Sequence, residues 1–326
     1  MEALLVEKLP EGDGWQYEPK WDGFRGVLEN DGGKLALWSR NERPLLRYFP
    51  ELAPLGEQLP PHSALDGEII LEQDGRLEFD LLQLRLHPAE SRVKKLAAET
   101  PVRFVAFDVL LWKGDQVWKV PLEKRRGRLE RLRLPFAISP TTPSAEEAKT
   151  WLERLEVAGL DGVVCKRLGL PYVPGSRDGA VKVKPQKTAD CVLMGVRWKE
   201  KPSRLATLLL GLYDDEGELR YVGTCAVAPA RHDMLLEAIR PLLSGAPERG
   251  FSEPSRWGTG ELEESALRPE LVCEVRFNKV ERWRFRHGTR FLRLRPDKDP
   301  RDCTWDQVKP RPGAGDPTVE SLLTTT

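Results

Sequence analysis

A lysine, a carboxylate, a glycine and an arginine stand together in the stretch Glu18-Pro19-Lys20-Trp21-Asp22-Gly23-Phe24-Arg25. Strands are predicted on both sides, over residues 15–18 and 24–29, and a turn then leads to a further strand over 35–38. A lysine amine is a nucleophile only when unprotonated, and burial or nearby cations lower its ordinary pKa of about 10.4. Lys20 is therefore a residue whose chemistry depends on its surroundings, and a surface strand end with a Lys and an Arg is the structural alternative.

Five further motifs follow this stretch in order: Ser39-Arg40, Leu65-Asp66-Gly67-Glu68-Ile69, Phe104-Val105-Ala106-Phe107-Asp108, Asp161-Gly162-Val163-Val164-Cys165-Lys166 and Val181-Lys182-Val183-Lys184. In order and spacing the set resembles the motifs of the covalent nucleotidyltransferases, which include ATP-dependent DNA ligases, RNA ligases and mRNA capping enzymes. The resemblance implies an α+β fold. Its first part would be an adenylation domain of two antiparallel sheets with helices, with ATP between the sheets.

The resemblance also implies which residues hold the nucleotide. Glu18 would accept a hydrogen bond from the adenine amino group, and Phe107 would stack on the adenine. Arg25 and Arg40 would hold ribose and phosphate, and Glu68 a ribose hydroxyl or a metal-bound water. Two of these residues have simple structural alternatives, since Glu68 could only cap a turn and Phe107 could only fill the core.

The implied catalytic residues are Lys20, Asp22, Lys182 and Lys184. Lys20 would carry AMP as a phosphoramidate, and Lys182 and Lys184 would neutralise the α-phosphate as charge builds. Both of these lysines fall on one face of a strand, because they alternate with valines. Glu68 and Asp161 are the expected ligands of a divalent metal, Mg²⁺ or Mn²⁺, since both ions take carboxylate oxygens.

The second half of the chain narrows the resemblance. Residues 285–304, 188–192 and 209–215 are similar to bacterial ATP-dependent ligases of the C type. Arg295, Asp297 and Lys298 match a motif that orients the β- and γ-phosphates of ATP when a second domain closes over the site. Strands predicted over 191–198, 205–213, 219–226, 271–280 and 283–294, with one helix over 230–243, indicate a β-barrel OB-fold domain.

The polar, proline-bearing segment 185–190 is the predicted domain boundary and hinge. The predicted division is an adenylation domain over 1–187, an OB-fold domain over 188–310 and a flexible tail over 311–326. At 326 residues the length suits two domains.

The net charge of the chain does not indicate that it binds nucleic acid, because 51 basic residues balance 51 acidic ones. Contacts to phosphates would come from local clusters such as the six arginines in residues 282–295. Along a continuous strand, Arg282, Arg284 and Arg286 would share one face, with Trp283 and Phe285 on the other. An ordinary half-buried strand with a solvated face explains this stretch equally well.

The function implied is that of an ATP-dependent DNA ligase that seals nicks in double-stranded DNA through lysyl-AMP and DNA-adenylate, in DNA repair. The expected protein is a cytoplasmic monomer of the bacterial cytosol or nucleoid, without a membrane span, with repair polymerases or primases as candidate partners. A capping-type guanylyltransferase or RNA ligase is the nearest alternative, and a preference for GTP over ATP would favour it. A non-catalytic nucleic-acid-binding module is the alternative from another class, and nick sealing that survives Lys20→Ala would exclude a nucleophilic role for Lys20.

Overall fold

The structure is a computed structural model that describes residues 1–132, 134–245, 263–281, 283–286, 288–309, 313 and 315–323. The chain forms two compact units. The first contains Met1–Pro185 together with Arg311–Thr326, and the second contains Gln186–Pro310. The division after Pro185 falls within two residues of the predicted boundary.

Strands in the first unit build two main sheets and one small hairpin. They are β1 (Leu4–Val6), β2 (Trp15–Pro19), β3 (Phe24–Asp31), β4 (Lys34–Ser39), β5 (Ser63–Ile70), β6 (Glu72–Gln73), β7 (Arg76–Leu77), β8 (Arg103–Leu111), β9 (Ala137–Ile138), β10 (Val163–Arg167) and β11 (Ala180–Val183). One sheet has the order β1-β11-β10-β2 and the other β4-β3-β5-β8-β9. Both sheets are antiparallel, as expected, except for one edge pair in each: β1 runs parallel to β11, and β9 runs parallel to β8.

The helices of the first unit are short. Those within residues 1–185 are α1 (Ala53–Gly56), α2 (Phe79–Gln83), α3 (Glu90–Glu99), α4 (Leu122–Leu129) and α5 (Ala145–Arg154). Helix α5 begins with a side-chain cap, since the Ser144 hydroxyl accepts a hydrogen bond from the Glu147 amide. Residues 46–56 form two single 3-10 turns followed by α1 and not one continuous helix, because Pro50 and Pro54 interrupt the segment.

Alternation along the strands gives each main sheet one core face. In the four-stranded sheet, Tyr17, Val163 and Val183 pack with Ala148 of α5 in one cluster. In the five-stranded sheet, Leu28, Leu65, Ile69 and Phe104 belong to the largest cluster of the first unit. Residues between these positions in the sequence therefore point to the opposite face of each sheet.

Strands in the second unit build one curled sheet and a small hairpin. They are β12 (Lys187–Glu200), β13 (Arg204–Tyr213), β14 (Leu219–Ala226), β15 (Leu243–Gly245), β16 (Glu264–Leu267), β17 (Val272–Phe277), β18 (Lys279–Glu281), β19 (Arg284–Arg286) and β20 (Arg290–Leu294). The long strand β12 pairs with β17 through its first half and with β16 through its second half. Helix α6 (His232–Ile239) packs Leu235 and Ile239 into the same core.

The sheet of the second unit follows the predicted OB-like arrangement. Its path runs β14-β13-β12-β17-β20. An isolated bridge joins Cys225 in β14 to Thr289, the residue before β20, so the two edges of the path meet there. Among the described residues, β14 and β20 are thus joined by this isolated bridge and not by a continuous ladder of hydrogen bonds.

The arginine-rich stretch is not the single strand that its alternation predicts. Trp283 has a φ of 65°, and β18 and β19 pair as a hairpin around it. The Trp283 ring stacks on Trp305 with the centroids 4.1 Å apart. Phe285 is buried and Arg284 exposed, as predicted, but Trp283 is exposed and does not share the buried face of Phe285; Arg282 lies outside the described residues.

The end of the chain returns to the first unit. The sequence predicts a flexible tail over 311–326, but helix α7 (Val319–Leu323) buries Val319 and Leu323 in one cluster with Trp21. Glu320 pairs with Arg103 at 2.6 Å. Apolar burial of this kind is invisible to a prediction based on the many Pro, Gly and Thr residues around it. None of the described helices is long and apolar enough to cross a membrane.

Candidate active site

A cavity of about 790 Å³ in the first unit is lined by residues of both main sheets. Glu18, Val164, Lys166 and Lys182 come from the four-stranded sheet, and Arg25, Glu68 and Phe107 come from the five-stranded sheet. Lys20, just beyond the end of β2, also lines it. Seven of the sequence-predicted site residues thus share this one cavity: Glu18, Lys20, Arg25, Arg40, Glu68, Phe107 and Lys182.

Strand register explains the wall built by the four-stranded sheet. Val164 lies opposite Glu18 on one side and opposite Lys182 on the other. Paired residues lie on the same face of a sheet, so the three side chains point together into the cavity. Burial lowers the pKa of Lys182, and the nearby charges of Lys20 and Lys184 lower it further.

A buried network holds Arg25 on the opposite wall. Its guanidinium donates two hydrogen bonds to Asp66, at 3.0 and 2.6 Å, and one to the Tyr172 hydroxyl at 2.8 Å. The Tyr172 hydroxyl in turn donates to Asp66 at 2.8 Å. This bidentate pairing fixes the direction in which Arg25 points.

Glu68 lies opposite Arg25 in the register of β3 and β5. Burial raises the pKa of Glu68 to about 8, although the positive charges of Lys20 and Arg25 act in the opposite direction. The carboxyl group is therefore largely protonated at neutral pH and loses its proton readily when more positive charge enters the cavity.

Lys20 forms an ion pair with Asp161. The Lys20 Nζ lies 2.7 Å from Oδ2 of Asp161, and the Nζ of Lys184 lies 2.8 Å from the same oxygen. Burial raises the pKa of Asp161, but the two lysines outweigh it, so the pKa lies below its ordinary value. Asp161 therefore holds both amines at one point as an anion.

Main-chain bonds keep the Lys20 loop beside Asp161. The Lys20 amide donates to the carbonyl of Gly162 at 2.8 Å, and the Asp161 amide donates to the carbonyl of Lys20 at 2.9 Å. A glycine is required at position 162, where φ is +126° and a Cβ atom would overlap the carbonyl oxygen of Val183. At Gly23 a Cβ atom would overlap the carbonyl oxygen of Ile69, so this glycine lets the loop pack directly on β5.

Arg40 and Asp22, two other predicted site residues, are less closely associated with the cavity. Arg40 lines the cavity but is mostly exposed, and its Nε lies 3.7 Å from Glu2 Oε1. Asp22 is 7% exposed and is not among the residues that line the cavity.

Arg295 and Lys298 belong to the second unit. Arg295 pairs with Asp190 at 3.0 Å and with Asp297 at 2.8 Å. The Nζ of Lys298 lies 3.9 Å from Asp190. Asp190 thus anchors the predicted phosphate-orienting residues at the start of this unit.

Three residues near the cavity were missed as functional residues by sequence reasoning: Gln16, Lys166 and Tyr172. Lys166 closes one of the recognised motifs, but only the pairing of β10 with β2 shows that it faces Glu18. Tyr172 lies in a loop where no motif marks it.

The candidate metal ligands do not form a preassembled site. Within the described ranges, no group of three or more His, Cys, Asp and Glu side chains is arranged to hold a metal ion. Mg²⁺ commonly binds through one or two carboxylates together with substrate phosphates, and Glu68 in the cavity fits such a partial site. Asp161 is engaged by the two lysines instead.

Comparison with known families gives two matches. The family described as "ATP dependent DNA ligase domain" matches residues 4–184, and the one described as "ATP dependent DNA ligase C terminal region" matches residues 201–298. Together the two matches cover parts of both units.

Several characterised proteins are similar over nearly the whole chain. DNA ligase C2 of Mycolicibacterium smegmatis is 42% identical, with 96% of this chain and 94% of that protein covered. DNA ligase C of Mycobacterium tuberculosis is 41% identical, with 90% of this chain and 89% of that protein covered. The multifunctional non-homologous end joining protein LigD of Pseudomonas aeruginosa is 33% identical over 94% of this chain, which corresponds to 36% of that larger protein.

A solved structure from a study of DNA binding by Lig E DNA ligases has a similar fold. Its TM-score is 0.56 at 18% identity, with 90% of this chain and 100% of that chain covered. The likeness concerns the fold and agrees with an adenylation domain followed by an OB-like domain.

Proposed function

This chain belongs to the ATP-dependent DNA ligase family, in its bacterial ligase C type, and is an ATP-dependent DNA ligase; on that premise we propose that Lys20 carries AMP from ATP to DNA. The observation that carries the proposal is the position of Lys20. Its side chain lines the cavity that also contains Glu18, Arg25, Phe107 and Lys182, and its amine is fixed by Asp161.

In the first step the Lys20 nitrogen attacks the α-phosphorus of ATP. A phosphorus–nitrogen bond forms, the bond from phosphorus to the β-bridging oxygen breaks, and pyrophosphate leaves with the bonding electrons. The ammonium group of Lys20 first gives up one proton to solvent, and the attacking nitrogen gives up a second proton to solvent as the phosphorus–nitrogen bond forms. Lys182 and Lys184 supply positive charge for the phosphoryl oxygens, and Asp161 holds the amine in place until the nucleotide arrives.

In the second step the AMP passes from Lys20 to the 5′-phosphate at a nick in duplex DNA, which restores the free lysine. In the third step the 3′-hydroxyl attacks the activated phosphate, the phosphodiester bond forms, and AMP leaves. Positioning and neutralisation of charge provide most of the catalysis in such phosphoryl transfers.

Carboxylates of the first unit would hold a divalent ion, Mg²⁺ or Mn²⁺, beside the phosphates of ATP. Glu68 is the carboxylate that would hold it in the cavity, with Asp161 as a second ligand once the nucleotide has displaced a lysine from it. When bound, the ion would neutralise charge on the phosphoryl oxygens.

Arg295 and Lys298 are proposed to act in the first step by orienting the β- and γ-phosphates. Their support is the motif that they match and their anchoring on Asp190. DNA repair is the proposed setting, because the Pseudomonas aeruginosa relative is named for non-homologous end joining. A cytoplasmic monomer that meets repair polymerases or primases fits this setting.

The mass of the intact protein after mixing with ATP and Mg²⁺ tests the proposal. We expect a gain of one adenylyl group that maps to Lys20 and is lost in Lys20→Ala. Lys34→Ala, at the exposed first residue of β4, is the matched control and should be labelled normally. Labelling of Lys20→Ala, or labelling by GTP in preference to ATP, would contradict the proposal.

A further inference from the structure

Lys166 is a buried cation in the cavity to which the ligation chemistry gives no role. It is 6% exposed, and its Nζ lies 2.8 Å from Oε1 of Glu18. The same Nζ lies 4.6 Å from the centre of the Phe107 ring and 3.5 Å from the Phe107 carbonyl oxygen. One amine thus joins the two residues proposed to contact adenine.

Strand register sets this arrangement. Lys166 lies directly opposite Gln16 in the antiparallel pair of β10 and β2, and Glu18 is two residues further along β2 on the same face. Gln16 donates a second hydrogen bond, at 2.8 Å, to the same oxygen of Glu18. Two donors from two strands therefore converge on Oε1.

The other carboxylate oxygen remains available. Among the described residues, none donates a hydrogen bond to Oε2 of Glu18, and Glu18 lines the cavity. A carboxylate whose first oxygen is fixed by two donors presents its second oxygen in one direction only. That oxygen accepts hydrogen bonds, so it attracts an amino group and repels a carbonyl oxygen.

Adenine and guanine differ in what they present to such an acceptor, because adenine has an amino group at position 6 and guanine has a carbonyl oxygen there. A fixed acceptor at the base edge therefore favours adenine, and a site with a dedicated hydrogen-bonding group strongly disfavours a ligand that leaves the group unpaired. Lys166 also contacts Phe107 as a cation over its ring, which restrains the ring that would cover the face of the base.

We propose that Lys166 is a positioning residue for base selection, which fixes Glu18 at the edge and Phe107 at the face of the purine. The inference rests on the proposed function, in which ATP occupies this cavity and Lys20 is adenylylated. Gln16 has the same role toward Glu18 alone.

The test compares Lys166→Met with the wild type on two nucleotides, ATP and the triphosphate of purine riboside, which lacks the 6-amino group. Formation of the covalent lysyl nucleotide is measured in single turnovers across nucleotide concentrations. In the wild type we expect ATP to be preferred by about tenfold or more, as for one well-placed hydrogen bond to a charged group. In Lys166→Met the preference should shrink to within about threefold, through a higher apparent Kd for ATP.

Two further variants separate positioning from general damage. Lys166→Arg keeps a cation that can pair with Glu18 on the neighbouring strand, and it should retain most of the wild-type preference for ATP. Gln16→Leu removes one donor and should give an intermediate preference, even if Lys166→Met does not fold.

The outcomes are distinct. Equal losses with both nucleotides in Lys166→Met, or an unchanged preference in Gln16→Leu where the methionine variant is unfolded, would overturn the inference and leave the adenylylation of Lys20 standing. Failure of the wild type to label Lys20 with ATP would instead overturn the proposed function itself.

Discussion

Lys20 and Asp161 form a direct ion pair, with 2.7 Å between Nζ and Oδ2. Both side chains are mostly buried, and the same oxygen receives the Lys184 amine at 2.8 Å. The nucleophile is therefore held before the nucleotide arrives, which reduces the loss of freedom needed to reach the reactive geometry.

Asp161→Asn tests this pairing. We expect adenylylation of Lys20 to slow by about 100-fold, because the neutral amide no longer holds the Lys20 amine in the position from which it attacks. Rapid-quench measurement with labelled ATP gives the rate. Asp13→Asn, at an exposed position, is the control, and a slowing of Asp161→Asn by less than about threefold would show that the pair is dispensable.

Glu68 predicts a dependence of stability on pH. Its pKa is about 8 in the folded protein, against an ordinary value of 4.5, so between these values the folded chain holds a proton that the unfolded chain has released. Holding this proton contributes to the free energy of unfolding. The contribution is largest below pH 4.5, falls by up to about 1.4 kcal/mol for each pH unit above that, and is lost near pH 8.

Glu68→Gln replaces the titrating carboxyl group with a neutral amide. As the pH rises from 5.5 to 8, the variant should therefore gain stability relative to the wild type, by at least about 1 kcal/mol. Urea unfolding at several pH values measures the difference. Glu57→Gln, at an exposed site, should show no such trend, and parallel curves for wild type and Glu68→Gln would refute the raised pKa.

Gly23→Ala is expected to destabilise the first unit by about 2 kcal/mol or more, because the new methyl group meets the carbonyl oxygen of Ile69. Displacement of the loop should also slow the adenylylation of Lys20. Gly127→Ala is a close control, since it lies within helix α4 with nothing near its Cβ position, and there alanine should stabilise by up to about 1 kcal/mol. Equal effects of the two substitutions would contradict the close packing at Gly23.

Arg295→Ala should separate the steps of ligation. If Arg295 orients the leaving phosphates, formation of lysyl-AMP falls by about 100-fold, whereas sealing of DNA that is already adenylylated changes little. Assays with ATP and with pre-adenylylated nicked DNA measure the two steps. A similar loss in both assays would indicate that Arg295 acts by stabilising the second unit through Asp190.

Leu323→Ala tests the docking of helix α7. The side chain is 8% exposed in the cluster that contains Trp21, so its truncation should cost about 2–4 kcal/mol in the free energy of unfolding. Leu84→Ala, at a leucine that is 41% exposed, should cost much less. If both variants unfold at the same urea concentration as the wild type, the helix does not contribute to the fold.

Much of the site was predictable because its residues sit in motifs at strand positions, where alternation fixes the face. Glu18 and Lys182 reach the cavity as expected, and so do Glu68 and Phe107. Lys166 could not receive a role in advance, since its partner Glu18 is 148 positions away and only the register of β10 and β2 brings them together.

The fold was less predictable where tertiary contacts oppose local pattern. Helix α3 has a highly charged sequence with few apolar positions, and only Val93 is buried in it, so the periodic signal is weak. The strand expected from Trp283 onward turns at its first residue, where stacking on Trp305 compensates for an unfavourable φ of 65°.

Helix α7 gives the first unit two separated segments of sequence, 1–185 and 311–326, with the second unit inserted between them. The chain therefore passes between the units twice, after Pro185 and after Pro310. A single protease cut at one of these crossings would leave the units covalently joined through the other. To produce the first unit alone, a stop codon after Pro185 would discard a piece of its own core. An internal deletion that joins the two segments through a short linker would retain it.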